Sequence, residues 1–337
     1  MALYLLLGTC LALSALLALN AFASALAELA WRAIAPRVAG RAAAVRARLL
    51  FVLRVSPPAL AAALVFALLL PAYLLHEPHD TGERVGAKLL LLAALSAAGV
   101  LLACWRIART WLATRRLVRD WMRHAEPVAT EGASIPAYRI RHSFPVIAVI
   151  GVLRPRLFIA GQIFDALTPG EFSSALAHER GHVEARDNLK RAVLQAGQDA
   201  LLVLAPLGRS LRREWQRASE LAADEFAASA GPAAALDLAS ALVKISKLIP
   251  AGATPTLPAG AHLLGEADDG LSRRVRALLR LASLPEGVRS SKRLHVHLPL
   301  LVVLCLCLCA VGAPLLAHPE VLKATHEAIE RVVEQLN

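Results

Sequence analysis

The chain has 337 residues, of which 57% are hydrophobic and 19% charged, with a mean hydropathy of +0.53 and a formal net charge of +11. Such apolarity excludes an ordinary water-soluble domain of this length and points to a lipid bilayer. The sequence pI near 10.1 would suit nucleic acid, but the arginines cluster at the ends of apolar runs and no nucleic-acid motif is present, so no direct nucleic-acid partner is expected.

In chain order, residues 2–27 carry no charged side chain, enough to cross about 30 Å of hydrocarbon. A cleaved signal peptide is the competing reading, disfavoured because the run is long and has no basic lead. A second apolar run covers residues 55–75, with Pro57, Pro58 and Pro71, which membrane helices tolerate. Leu89–Cys104 predicts a third span and Pro299–Leu316 a fourth. Basic residues are uneven. Arg32, Arg37, Arg41, Arg46, Arg48 and Arg54 crowd the first loop, and Arg106, Arg109, Arg115, Arg116, Arg119 and Arg123 follow the third span. Arg289, Lys292 and Arg293 precede the fourth, whereas the second loop has only Arg84 and Lys88. The positive-inside rule then predicts a bacterial-type inner or cell membrane protein with residues 110–293 in the cytoplasm and both termini outside. The expected organisation is three spans and their loops in 1–109, a soluble domain in 110–293, a fourth span in 294–317 and a short acidic outer tail in 318–337.

The soluble insert is long enough to bury its own core. An arginine-rich helix is expected near Ile107–His124, then strands Ala137–Ile140, Phe144–Ile150 and Arg156–Ala160. Pro155 suits an edge for the last strand, where an extended peptide could pair. Helices are expected over 169–185, Leu189–Leu204, Leu211–Ala230 and Ala233–Leu248. Leu201–Leu207 is apolar enough to touch the bilayer, although a core helix is an equal reading. Pro250–Gly270 reads as a loop. The fold class is therefore a multi-pass α-helical membrane protein of four spans with an inserted, mainly α (α+β) domain.

The most informative stretch is His178-Glu179-Arg180-Gly181-His182. Histidines four apart on a helix project from one face, so their imidazoles can share one zinc ion, with Glu179 beside the open position as general base. With 11 His and 17 Glu in the chain, about 0.02 such motifs are expected by chance, so context decides. Thr168-Pro169-Gly170-Glu171 upstream has the pattern of a capping box, with proline at the first helical position. A catalytic zinc needs a third protein ligand. Ser219 to Phe226 reads as a helix stopped by Gly231-Pro232. On it Glu220 can ligate, and Asp224, four residues on and on the same face, can orient a ligand histidine. An exposed acidic face is the bland alternative, and Glu225 is a fallback pointing elsewhere. The cofactor expected is one zinc ion per chain, although other divalent metals are not excluded by the donor set. Cys10, Cys104, Cys305, Cys307 and Cys309 all fall within or at the ends of apolar runs and read as small apolar residues rather than a disulfide or metal framework. His76, His79, His295 and His297 read as interfacial.

Gly151-Val152-Leu153-Arg154-Pro155-Arg156-Leu157-Phe158-Ile159, the His178–His182 motif, Arg186-Asp187-Asn188 and Glu220 to Asp224 together resemble the membrane metallopeptidases of the BlaR/MecR antirepressor type, and more distantly the HtpX and CAAX-prenyl protease group. The resemblance spans roughly residues 1–318 and is strong across 144–230. It implies a gluzincin domain held in the cytoplasm between the third and fourth spans, with His178, His182 and Glu220 as ligands, Glu179 as base and Asp224 behind a ligand. It further implies that Asp187 braces the active-site helix and that Arg274, in Leu271-Ser272-Arg273-Arg274-Val275, can stabilise an oxyanion; a solvated helix face is the plain alternative for Arg274. The implied activity is zinc-dependent endopeptidase action on a protein, a transcriptional repressor or the chain itself, in regulated signalling. An HtpX-like quality-control peptidase and a non-catalytic metal-binding scaffold are the alternatives. The bilayer and a protein substrate are the expected partners, with a second copy of the chain a further candidate. The large penicillin-binding sensor domain of the antibiotic-sensing members has no counterpart in residues 318–337, so β-lactam sensing is not expected.

Overall fold

The computed structural model describes residues 1–78, 85–129, 135–201, 204, 206–249, 268–283 and 318–336, and they are mostly helical. Among the described residues, three helical stretches are long and apolar enough to cross a membrane: α1 (Ala2–Val38), the continuous stretch Ala43–His76, and α4 (Ala87–Met122). The second comprises α2 (Ala43–Leu64), a π-helical turn (Val65–Leu69) and α3 (Leu70–His76). Leu70 N–H donates to the Val65 carbonyl five residues back. The widened turn falls immediately before Pro71, which has no N–H to continue the usual ladder. The expected fourth span, together with His79, Arg84, His295, His297, Cys305, Cys307, Cys309, Arg289, Lys292, Arg293 and most of the loop from Pro250, lies outside the described residues.

Two expectations near the spans need correction. The third span and the arginine-rich helix are not separate: α4 runs unbroken from Ala87 to Met122, about 54 Å at 1.5 Å per residue. Arginines in apolar surroundings look like an interruption in sequence, yet arginine is a good helix former. Likewise the first loop shrinks to residues 39–42, and Arg54 is not in a loop but buried within α2, facing Gly208.

Each span helix exceeds the roughly 30 Å of a hydrocarbon core, and the two ends of the bundle are used differently. At one end Tyr4, Leu7 and Leu11 of α1, Tyr73 of α3 and Leu89 of α4 form a core that receives Ile329 and Val333 of the C-terminal helix α11 (Pro319–Leu336). The residues expected as a short tail are thus an amphipathic helix seated on the bundle. At the other end Ala27 of α1 and Ala47, Leu50 and Phe51 of α2 pack on Leu194, Leu211, Trp215 and Ala218 of the inserted domain.

That domain carries a four-stranded sheet in the order β1-β2-β4-β3 (Glu126–Val128, Ala137–Ile140, Arg156–Ala160, Ile147–Ile150). The pair β2/β4 is parallel and the other pairs are antiparallel. Strand β4, expected at an edge because of Pro155, is paired on both sides. Pro155 precedes the strand, where its missing N–H removes no ladder bond. The edge next to the histidine helix is β3, which begins at Ile147 rather than Phe144. Around the sheet lie α5 (Gly161–Ala166), α6 (Pro169–Ala185), α7 (Asp187–Asp199), α8 (Arg209–Ala228), α9 (Pro232–Leu248) and α10 (Asp268–Ser283). Strand β1, helix α5 and the start of α10 at Asp268 were not legible in sequence, and α7 begins and ends earlier than expected. The sheet core of Ile147, Leu157, Phe158, Ile159 and Ile163 extends to Ala175 of α6 and Ala241 and Ile245 of α9.

Helix α6 starts as its sequence demands. Thr168 Oγ1 accepts from Glu171 N–H at 3.3 Å, and Glu171 Oε2 accepts from Thr168 N–H at 2.8 Å. Ser240 Oγ and Lys244 Nζ of α9 also donate to that carboxylate, at 2.6 and 2.8 Å. Burial pushes the Glu171 carboxyl up, but the bonds from Lys244, Ser240 and Thr168 outweigh it and bring it down from 4.5 to about 2. A depressed carboxyl contributes stability that is present above its unfolded value and lost as pH falls through its folded one. Thermal unfolding of the detergent-solubilised protein is therefore expected to lose stability between pH 4.5 and about 2, more steeply in wild type than in Lys244→Met. Thr168→Ala is expected to cost about 1 kcal/mol at neutral pH.

Candidate metal centre

His178 and His182 stand one turn apart on α6, and Glu220 reaches them from α8. The two helices approach closely because residue 181 is glycine: a Cβ there would lie 3.2 Å from Ala223 Cα. The Nε2 atoms of His178 and His182 are 3.2 Å apart. Glu220 Oε2 is 3.7 Å from His178 Nε2, and Glu220 Oε1 is 3.6 Å from His182 Nε2. Donors arranged tetrahedrally at zinc-like distances of about 2.0–2.1 Å are separated by roughly 3.3 Å, so this triangle is the right size for one divalent ion. Two further features fit. The two imidazole nitrogens face each other, which a shared cation favours. Glu220 Oε2 is buried and accepts no hydrogen bond.

The outer nitrogens of both histidines are engaged. His178 Nδ1 lies 2.9 Å from Asp224 Oδ1, and His182 Nδ1 lies 2.7 Å from Asp187 Oδ2. Each carboxylate therefore engages the Nδ1 of its imidazole and leaves Nε2 as the nitrogen turned toward Glu220, the orientation a metal ligand would need. The carboxylates are themselves fixed. Ser219 Oγ donates to Asp187 Oδ2 at 2.7 Å and Lys190 Nζ stands 3.6 Å from Oδ1. Arg274 grips Asp224 through Nε and Nη2 at 2.8 and 2.7 Å.

Glu179 is buried, with Oε2 accepting from Val149 N–H of β3 at 3.3 Å. Asn188 Nδ2 donates to the carbonyls of Val149 and Gly151 at 3.0 and 3.1 Å, pinning the same strand end. Burial raises the Glu179 carboxyl above the ordinary carboxylate range, although His178 and His182 pull it down. Burial alone would lower His182, but the Glu220 and Asp187 carboxylates push it up to about 10. For Glu220 and Asp224 burial is again opposed, chiefly by His182 and by Arg274, which leaves Glu220 well below its usual value and Asp224 at about 2. Four carboxylates thus converge on two imidazoles, and Arg274, Arg191 and Lys190 offset much of their charge.

Every residue singled out in sequence around the motif comes to this place: His178, Glu179, His182, Glu220, Asp224, Asp187 and Arg274. Arg274 is not on a solvated helix face but mostly covered and paired with Asp224, with Nη1 3.3 Å from Glu220 Oε2. Glu225 points away and accepts from Ala43 N–H of α2. Sequence reasoning missed Arg191, whose Nη2 donates to Glu220 Oε1 at 2.9 Å. Its spacing of four from Asp187 was the available signal, since that puts both on one helix face. Comparison of the chain with protein-family models, curated proteins and solved structures returned no match. Removing the outward hydrogen bond of His178 or His182, by Asp224→Ala or Asp187→Ala, is expected to weaken divalent-metal affinity 10–100-fold, measured by chelator competition on the purified protein.

Proposed function

We propose that the chain is a membrane-embedded zinc endopeptidase of the BlaR/MecR antirepressor type that cuts a protein at the cytoplasmic membrane face. The observation that carries this reading is a buried carboxylate, Glu179, beside a His178–His182–Glu220 triangle of metal-binding size. A merely structural metal site has no use for that additional carboxylate.

His178, His182 and Glu220 hold the ion, and Asp224 and Asp187 keep the two imidazoles in register. A zinc ion bound there would supply Lewis acidity for hydrolysis. Glu179 takes the proton of the attacking water and delivers it to the leaving amine. Arg274, held by Asp224, adds positive charge for a developing oxyanion. The edge strand β3, tied to the site by Glu179 and Asn188, offers an extended peptide a backbone to lie along.

The membrane placement has its own support. Arg109 lies 5.2 Å from the Trp105 ring and Arg115 4.4 Å from the Trp111 ring, a pairing of aromatic and basic residues suited to the headgroup level on the cytoplasmic side. Fifteen or so residues of α4 then project beyond the hydrocarbon, toward the inserted domain. The substrate class that fits is a protein held near that face, a transcriptional repressor or a second copy of the chain, and the role is regulated signalling.

Glu179→Gln keeps the shape of the side chain and removes the base. New protein N-termini in cells carrying wild type or Glu179→Gln at matched expression, with zinc content checked in both, test the reading. A few termini unique to wild type are expected. Many unrelated ones would favour a quality-control peptidase, and identical sets would sink the peptidase reading.

A further inference from the structure

Glu220 is approached by two guanidinium groups with different commitments. Arg274 of α10 is spent on Asp224: its Nε and Nη2 form a two-point grip at 2.8 and 2.7 Å, and only Nη1 turns toward Glu220 Oε2, at 3.3 Å. Arg191 of α7 has, among the described residues, one side-chain hydrogen bond, to Glu220, Nη2 to Oε1 at 2.9 Å, and its side chain is 13% exposed. The result is an asymmetric carboxylate. Oε1 carries a charged hydrogen bond, whereas Oε2 is buried and accepts none. A carboxylate oxygen that already accepts from a guanidinium is the poorer donor to a cation.

We infer that Arg191 is the positioning residue that makes Glu220 a one-oxygen ligand, through Oε2, and so keeps a coordination position open. The inference rests on the metal-centre reading above. The reason for needing such a device is geometric. A free glutamate can grip a cation with both oxygens, which fills the position a substrate or water must occupy. Arg191 is well placed to prevent that because its helix cannot easily move. Asp187 and Asn188 bind the histidine helix and β3 from the start of α7. Leu194 is buried against Leu50, Phe51 and Trp215 in the middle, and Asp199 pairs with Arg106 of α4 at 2.7 Å at the end.

Cobalt(II) spectra of the purified full chain in detergent test this without any substrate, since four-coordinate cobalt absorbs visible light far more strongly than five- or six-coordinate cobalt. Wild type is expected to give the intense four-coordinate spectrum. Arg191→Met is expected to take up cobalt with a weaker, higher-coordinate spectrum, and Arg191→Lys, which keeps a charged donor, to restore the wild-type intensity. A weak wild-type spectrum would overturn the inference whatever the variants do, as would indistinguishable spectra for wild type and Arg191→Met. Absence of cobalt uptake by wild type is a separate outcome: it would overturn the metal-centre reading and this inference with it.

Discussion

The site depends on how closely α6 and α8 approach. The histidines project from one helix and the third donor from another, and their atoms come within 3.2–3.7 Å only because Gly181 lets the Ala223 backbone sit against α6. A Cβ at 181 would press on the Ala223 backbone of α8 and on the Phe226 ring. The surrounding contacts serve the same approach. The Thr168–Glu171 capping box fixes where α6 begins, α9 holds that cap through Ser240 and Lys244, and Arg274 ties α10 to Asp224 on α8. Helices with strongly polar faces thus meet around a charged centre in which each carboxylate has a basic or imidazole neighbour, the condition under which buried charge is tolerated.

The same economy shapes the join between membrane and domain. The span helices do not stop at the hydrocarbon boundary but continue into the domain. The domain-side ends of α1 and α2 supply part of the core that supports α7 and α8, with Leu50 and Phe51 against Leu194 and Trp215. The domain is therefore not a bead on linkers. The helix α8 that carries Glu220, and α7 beside it, rest on the ends of α1 and α2.

How much of this was legible in the sequence follows from the range of each interaction. The α6 start, the pairing of His178 with His182 and the shared face of Glu220 and Asp224 are local, set by spacings of three and four residues, and the structure brings them together as the spacing implies. Interactions between elements were harder. Pro155 was a sound signal for a restricted strand end but says nothing about which strands lie on either side, so β4 was misplaced at the edge that β3 occupies. Arginines at 106–123 looked like the end of a span because charge leaves the bilayer there, yet nothing in them breaks a helix. Arg191 was harder to read: its spacing of four from Asp187 puts it on the face of α7 that carries that carboxylate, but nothing local names its partner Glu220 on another helix.

The unbroken path of α4 has a mechanical consequence. From Ala87 to Met122 it contains no proline, and proline-free helices curve gently rather than hinge. Arg106 grips Asp199 from its middle, and Leu117, Val118 and Trp121 lie against the sheet core at its far end. The helix therefore acts as a rod clamped at two points in the domain. A tilt of a few degrees in the bilayer is not absorbed at the boundary but carried into the domain as rigid-body rotation, and the thickness of the surrounding lipid becomes a load on the protein.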